Sequence, residues 1–175
     1  MNQEEIMYIQ RSIDQQLLEW KQSSVHKPLL LRGARQVGKS SAIRHLGETF
    51  KHYIEVNFEK RPELKELFEK TSDVHQLAAR LGMLYNVPIE AGKTLVFLDE
   101  IQACPEAIKS LWFFKEDFPE LHVVAAGSLL EFALKELTSY GVGRIRSLFM
   151  YPLSFDEFPQ AQGKALWIEE KRKAD

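Results

Sequence analysis

Apolar residues recur at three- and four-residue steps through Ile6, Ile9, Ile13, Leu17 and Trp20, which predicts an amphipathic helix closed by Ser23, Ser24 and Lys27-Pro28. The spacing then changes. Leu29-Leu30-Leu31 is a short unbroken apolar run ending at Gly33, as in a buried strand that runs into a loop. Helical spacing returns from Ser40 to Phe50 through Ile43 and Leu46. Tyr53 to Phe58 alternates, with Ile54, Val56 and Phe58 on one side, and predicts a second strand. Val74, Leu77, Ala78, Leu81, Leu84 and Tyr85 mark another helix, with Ser72 or Asp73 as its cap. Thr94 to Leu98 is a third strand, apolar as expected in the middle of a parallel sheet. Pro105 suits the first turn of a helix through Ile108, Leu111, Trp112 and Phe114, with Pro119 beyond its end.

Leu121 to Ala126 is a fourth strand, Leu129 to Leu137 a helix, and Leu148 to Tyr151 a short fifth strand. Ser154-x-x-Glu157 forms a capping box flanked by Leu153 and Phe158, so a helix should start at Phe155 and meet a break at Pro159. Residues 160–175 read as a charged tail or the start of a further region. Strands alternating with helices predict an α/β fold: one domain over residues 1–175, a parallel sheet with helices on both faces.

Composition narrows the setting. A net charge of −2 supplies no global basic field for nucleic acid or anionic lipid. Cys104 is the single cysteine, so no intramolecular disulfide forms, which fits a reducing compartment. The N-terminal MNQEEIMYIQ has no basic region followed by an apolar stretch, and no apolar run approaches the ~20 residues that span a bilayer. The expectation is a cytoplasmic protein. The histidines are scattered without metal-ligand spacing, and Trp112, Phe113 and Phe114 read as core.

The chemistry lies at strand ends. Gly33-Ala34-Arg35-Gln36-Val37-Gly38-Lys39-Ser40 matches G-x-x-x-x-G-K-[ST], the phosphate-binding P-loop, or Walker A, pattern, between a strand and a helix. Successive backbone N–H groups must face a phosphate chain, and Gly33 and Gly38 let the loop curl without side chains in the way. The helix that begins near Lys39 and runs through Ser41 aims its positive end at the phosphates. Lys39 reaches the β- and γ-phosphates, the Ser40 hydroxyl ligates Mg²⁺, and Arg35 contributes chiefly its N–H. The strand Leu95 to Leu98 ends in Asp99-Glu100, the Walker B arrangement, in which Asp99 holds Mg²⁺ and Glu100 orients the attacking water.

Three further positions carry two readings each. Ser128, after the fourth strand, senses the γ-phosphate or caps the next helix. Asn57, at the end of the second strand, holds Glu100 away from water or satisfies local backbone. Arg144, in the glycine-rich turn Gly141-Val142-Gly143-Arg144, neutralises γ-phosphate charge in its own site or a neighbour's, or sits in a solvated basic turn.

GARQVGKS, LDEIQ, AAGSLLE and GRIRSLFMYPLSFDEF together resemble a prokaryotic group of AAA+-like P-loop ATPases, from about Arg11 to Phe158. In that group an AAA domain is followed by a C-terminal domain of unknown function, so the chain is expected to be truncated relative to the group. The resemblance implies a P-loop NTPase three-layer sandwich with strand order 5-1-4-3-2. It matches Ser128 to the sensor 1 position, Asn57 to the polar residue called the glutamate switch, and Arg144 to the group's Gly-Arg. It also implies ATP rather than GTP. The expected function is Mg²⁺-assisted ATP hydrolysis. The alternative is a nucleotide-dependent switch or interaction module that binds ATP with negligible turnover. An unidentified protein partner or self-association is left open.

Overall fold

The computed structural model describes residues 8–24, 27–128, 143–154 and 157. In chain order these form α1 (Ser12–Gln22), β1 (Leu29–Arg32), α2 (Lys39–Gly47), β2 (His52–Asn57), α3 (Lys65–Glu69), α4 (Val74–Tyr85), β3 (Thr94–Asp99), α5 (Pro105–Asp117), β4 (His122–Ala126) and β5 (Arg146–Phe149). The strands make one sheet in the order β2-β3-β4-β1-β5, every neighbouring pair parallel. That is the expected 5-1-4-3-2 order read from the other edge. The predicted helix over 129–137, the helix from Phe155 and the charged tail lie outside the described residues.

Strand patterning follows position in the sheet. β3 and β4 are buried at every residue and β1 at all but its last, and these are the interior strands. β2 and β5 occupy the edges, and both alternate in burial. Successive side chains point to opposite faces. Leu30, Val96, Leu98, Val123 and Ala125 pack with Leu77 and Leu81 of α4 and Leu111 and Phe114 of α5. Leu29, Leu31, Leu95, Phe97, Val124 and Ala126 pack on the other side with Ile13, Leu17 and Trp20 of α1 and Ile43 and Leu46 of α2. The result is three layers with a core on each side of the sheet.

Two boundaries depart from the sequence pattern. The first helix starts at Ser12, not near Ile6: the Arg11 N–H donates to Asp14 Oδ2 at 2.8 Å, and Asp14 Oδ1 accepts from the Tyr8 hydroxyl at 2.6 Å. This cap holds residues 8–11 outside the helix, and the apolar periodicity through Ile9 has a different use, described below. The fifth strand is displaced toward its N-terminus, because pairing with β1 runs from Arg146 to Phe149. The apolar run continues past the pairing, since Met150 leaves the edge to enter the core. Elsewhere the local chemistry acts as read. Asp73 accepts from the N–H groups of His75 and Gln76 at 2.9 and 3.1 Å to cap α4. Pro105 opens α5.

Candidate functional site

The parallel sheet brings the carboxyl ends of all five strands to one edge, where Gly33, Asn57, Asp99, Gly127 and Met150 follow or end their strands. Between β1 and α2 the backbone takes positive φ at Gly33 (147°), Gln36 (62°) and Gly38 (97°). These left-handed turns curl the loop into a cradle of N–H groups. A β-carbon on Gly33 would also collide with the carbonyl oxygen of Met150, so this glycine is required by packing as well as by conformation. Lys39, a residue only 9% exposed, donates from its ammonium to the carbonyl oxygens of Gly33 at 2.9 Å and Ala34 at 2.6 Å. Burial pulls its pKa down, while the charges of Glu100 and Asp99 oppose that shift and Arg35 adds to it.

Asp99 ends β3 in a buried position, and burial raises its pKa against the pull of the Ser40 hydrogen bond. The Ser40 hydroxyl stands 3.1 Å from each carboxylate oxygen. This is a hard-oxygen pair on a desolvated acid, facing a phosphate cradle, and it fits Mg²⁺, which takes one or two protein oxygens and completes its shell with phosphate and water.

Of the two roles read for Asn57, it takes the bonds to local backbone and adds one to Asp99, with no hydrogen bond to Glu100. Asn57 and Asp99 are register partners on adjacent parallel strands, so their side chains share a face, and the Asn57 amide donates to Asp99 Oδ2 at 3.0 Å. Its Oδ1 accepts from the N–H groups of Glu59 and Lys60 at 3.1 and 2.9 Å. Glu100 lies one residue past the strand at φ 51°, a left-handed conformation that costs a non-glycine residue on the order of 1–3 kcal/mol. What holds its carboxylate is Gln102, whose amide donates to Oε2 at 2.6 Å. Gln102 was not singled out from the sequence, although the short spacing within LDEIQ is the signal that marks it.

Lys39, Ser40, Glu100 and Ser128 line a cavity of about 430 Å³ together with Arg35, Gln36, Gly38, Ser41 and Glu59. A second cavity of about 680 Å³ lies on the other side of the same loop and shares Arg35, Gln36, Gly38 and Ser41 with it. Its outer wall is Tyr8, Ile9, Arg44, His45, Pro152 and Leu153. The Tyr8 and His45 rings stack with centroids 4.0 Å apart. Tyr8 and Ile9 are far in sequence from Pro152 and Leu153, so no local pattern shows that the four share a wall. Ile9 keeps helical spacing without belonging to α1 and lines this wall instead.

The segments around residues 8–11 and 151–154 are tied to the loop through Arg11 and Glu157. Arg11 Nη1 donates to the Val37 carbonyl and Nη2 to the Tyr151 carbonyl, each at 2.8 Å, and Nε lies 3.4 Å from Glu157 Oε1. Glu157 Oε1 also accepts from the Ser12 N–H and hydroxyl at 2.8 and 2.9 Å. Its Oε2 accepts from the Ser154 N–H at 2.8 Å, and the Glu157 N–H donates to Ser154 Oγ at 3.2 Å, which closes the expected capping box. Burial alone would raise the Glu157 pKa; the hydrogen bonds from Ser12 and Ser154 and the Arg11 charge outweigh it and bring it down to about 2. A depressed carboxyl stabilises the fold fully above its ordinary value of 4.5 and loses that contribution as pH falls toward about 2. Glu157→Gln is therefore expected to melt lower than wild type at neutral pH and to lose less stability on acidification through this window. Thermal melts across the range check it; parallel pH profiles for the two proteins would refute the role.

Arg144 is at the wrong edge for its own site. It precedes β5, and Leu29, the first residue of β1, is the register partner of Arg146, so the turn lies beside the amino ends of the strands. At ~3.3 Å per strand residue, that is on the order of 15 Å from the P-loop edge. There Arg144 donates to Glu116 Oε1 at 2.9 Å and lies over the Trp112 ring, 5.0 Å from its centroid.

The five-stranded parallel sheet, its order and the loop after β1 define a P-loop NTPase fold. A family model described as an AAA domain matches residues 25–159, and the chain belongs to that family. Among solved structures it is similar to the Walker-type ATPase paby2304 of Pyrococcus abyssi, with a TM-score of 0.60 and 22% identity over 93% of this chain and 59% of that one. It is also similar to katanin, in a structure concerned with katanin self-assembly, with a TM-score of 0.55 and 18% identity over 87% of this chain and 55% of that one. The chain thus spans under two thirds of both structures, and at these identities the likeness shows the fold. A search of the curated proteins finds no match. Among the described residues no helix is long and apolar enough to cross a membrane.

Proposed function

We propose that this domain binds ATP with Mg²⁺ and hydrolyses its γ-phosphate bond. The observation that carries the reading is the convergence of Lys39, Ser40 and Glu100 on one cavity beside a curled, N–H-lined loop, with Asp99 bonded to Ser40 behind it. The loop from Gly33 to Ser41 cradles the phosphates, and Lys39 exchanges its loop carbonyl partners for phosphate oxygens. Ser40 and Asp99 would hold Mg²⁺, which supplies charge neutralisation at the β- and γ-phosphates. Glu100 orients the attacking water, Asn57 fixes the Asp99 carboxylate, and Ser128 faces the far end of the phosphate chain. The larger cavity, with its Tyr8–His45 stack and the apolar edges of Ile9, Pro152 and Leu153, suits a purine base.

Arg144 bears on a phosphate only across an interface between copies of the chain, so self-association belongs to the same reading. A cytoplasmic location accords with the lone, buried Cys104. The test is calorimetric ATP titration with phosphate release, in Mg²⁺ and in chelator. Saturable binding with Mg²⁺-dependent release is expected; no binding in either condition would refute the reading. The Gln102–Glu100 bond favours one alternative, a switch that binds ATP with Glu100 held back. Tight binding with release at background would select it.

A further inference from the structure

The chain carries a second cation at the phosphate cavity, and it comes from the loop itself. Arg35 is the third residue of the P-loop, exposed, and lines both the Lys39–Glu100–Ser128 cavity and its neighbour across the loop. Its Nε donates to Ser128 Oγ at 3.3 Å. The bridge follows from the topology. β1 and β4 are adjacent, with Leu31 and Ala126 as register partners, so the loops that leave them stand side by side at the mouth of the site.

Among the described residues the rest of the guanidinium has no partner. Glu59 and Glu100 line the same cavity, yet among the described residues Arg35 forms no ion pair with either, and neither Nη atom makes a hydrogen bond. The contrast with other arginines is informative: Arg44 is locked bidentately onto Glu55, and Arg11 has both Nη atoms bonded to backbone carbonyls, with Glu157 beside its Nε. A planar fork with its Nε steadied and both Nη atoms open is suited to two oxygens of one phosphate.

Taking this cavity as the triphosphate seat of the proposed function, we infer that Arg35 grips the terminal phosphate of ATP in cis, positioned by Ser128, so that the domain distinguishes ATP from ADP through its own P-loop. The bond to Ser128 draws the Arg35 side chain toward the cavity lined by Lys39 and Glu100, where the proposed function seats the γ-phosphate, so ADP would leave it without a partner. The same contact places a guanidinium where charge accumulates as the γ-phosphate departs. An arginine supplied in cis to a P-loop site is a known source of rate acceleration in other NTPases. The reading differs from a loop-shaping role, which would affect every phosphate equally.

The experiment is calorimetry in Mg²⁺ with ADP and with the non-hydrolysable analogue adenylyl imidodiphosphate, for wild type, Arg35→Ala and Arg35→Lys. Wild type is expected to prefer the triphosphate. Arg35→Ala should cut that preference by about 10- to 100-fold while its ADP affinity stays within about twofold, and the point charge of Arg35→Lys should restore part of it. Single-turnover hydrolysis by Arg35→Ala should fall on the order of 10²-fold or more. Equal weakening of both nucleotides, or no change in either, overturns the assignment of Arg35 and leaves the ATP reading intact. A wild type that binds neither nucleotide overturns both.

Discussion

Replacing Lys39 with alanine is expected to abolish measurable triphosphate binding, with an affinity loss on the order of 10²–10³-fold and turnover at background. Lys39 is a buried residue and burial pulls its pKa down, so part of the cost of stripping water from its ammonium falls on folding and not on ligand binding. The charges of Glu100 and Asp99 act on it, and its hydrogen bonds to the Gly33 and Ala34 carbonyls hold the first turn of the loop closed. Alanine removes charge and brace together. Calorimetry with ATP and Mg²⁺ measures the loss, and a thermal melt separates it from unfolding. A folded variant that retains ATP affinity within about threefold would show that phosphate does not sit where Lys39 points.

Much of this site was readable before the fold because P-loop chemistry is local. Gly33 to Ser40 acts through backbone turns and the start of a single helix, so adjacent residues carry the whole device. The sheet was legible for a related reason: buried interior strands admit almost no polar residue, and Leu29-Leu30-Leu31, Leu95 to Leu98 and Val123 to Ala126 stand out as unbroken runs. What stayed hidden depends on register or on distant partners. Which of its two readings Asn57 takes depends on register, which sets it against Asp99 while its Oδ1 serves local backbone. The alternatives for Arg144 turn on strand direction, and β5 carries it to the edge opposite the P-loop of its own chain. The wall formed by Tyr8, Ile9, Pro152 and Leu153 exists only because Arg11 and Glu157 join these two segments over the loop. The single turn of α3 is too short to show a period at all.

The second large effect separates binding from chemistry. Glu100→Gln is expected to bind ATP with an affinity within about threefold of wild type and to lose on the order of 10²–10⁴ in turnover. The substitution keeps the volume and one acceptor oxygen, so the bond from Gln102 to that position can persist. It removes the negative charge that orients and polarises water, and no neighbour replaces it: Asp99 is occupied by Ser40 and Asn57. The strained left-handed backbone at Glu100 argues the same way, since Gln36, Asn86 and Glu100 are the non-glycine residues with positive φ among those described, and two of the three lie at this cavity. Asn86 has an ordinary reason for it, as the residue that ends α4. Phosphate release and equilibrium binding on the same preparation decide the matter. Turnover equal to wild type would assign water activation elsewhere, with Glu59 as the remaining carboxylate on the cavity wall. Loss of binding as well would mean that Glu100 shapes the seat instead of acting on the water.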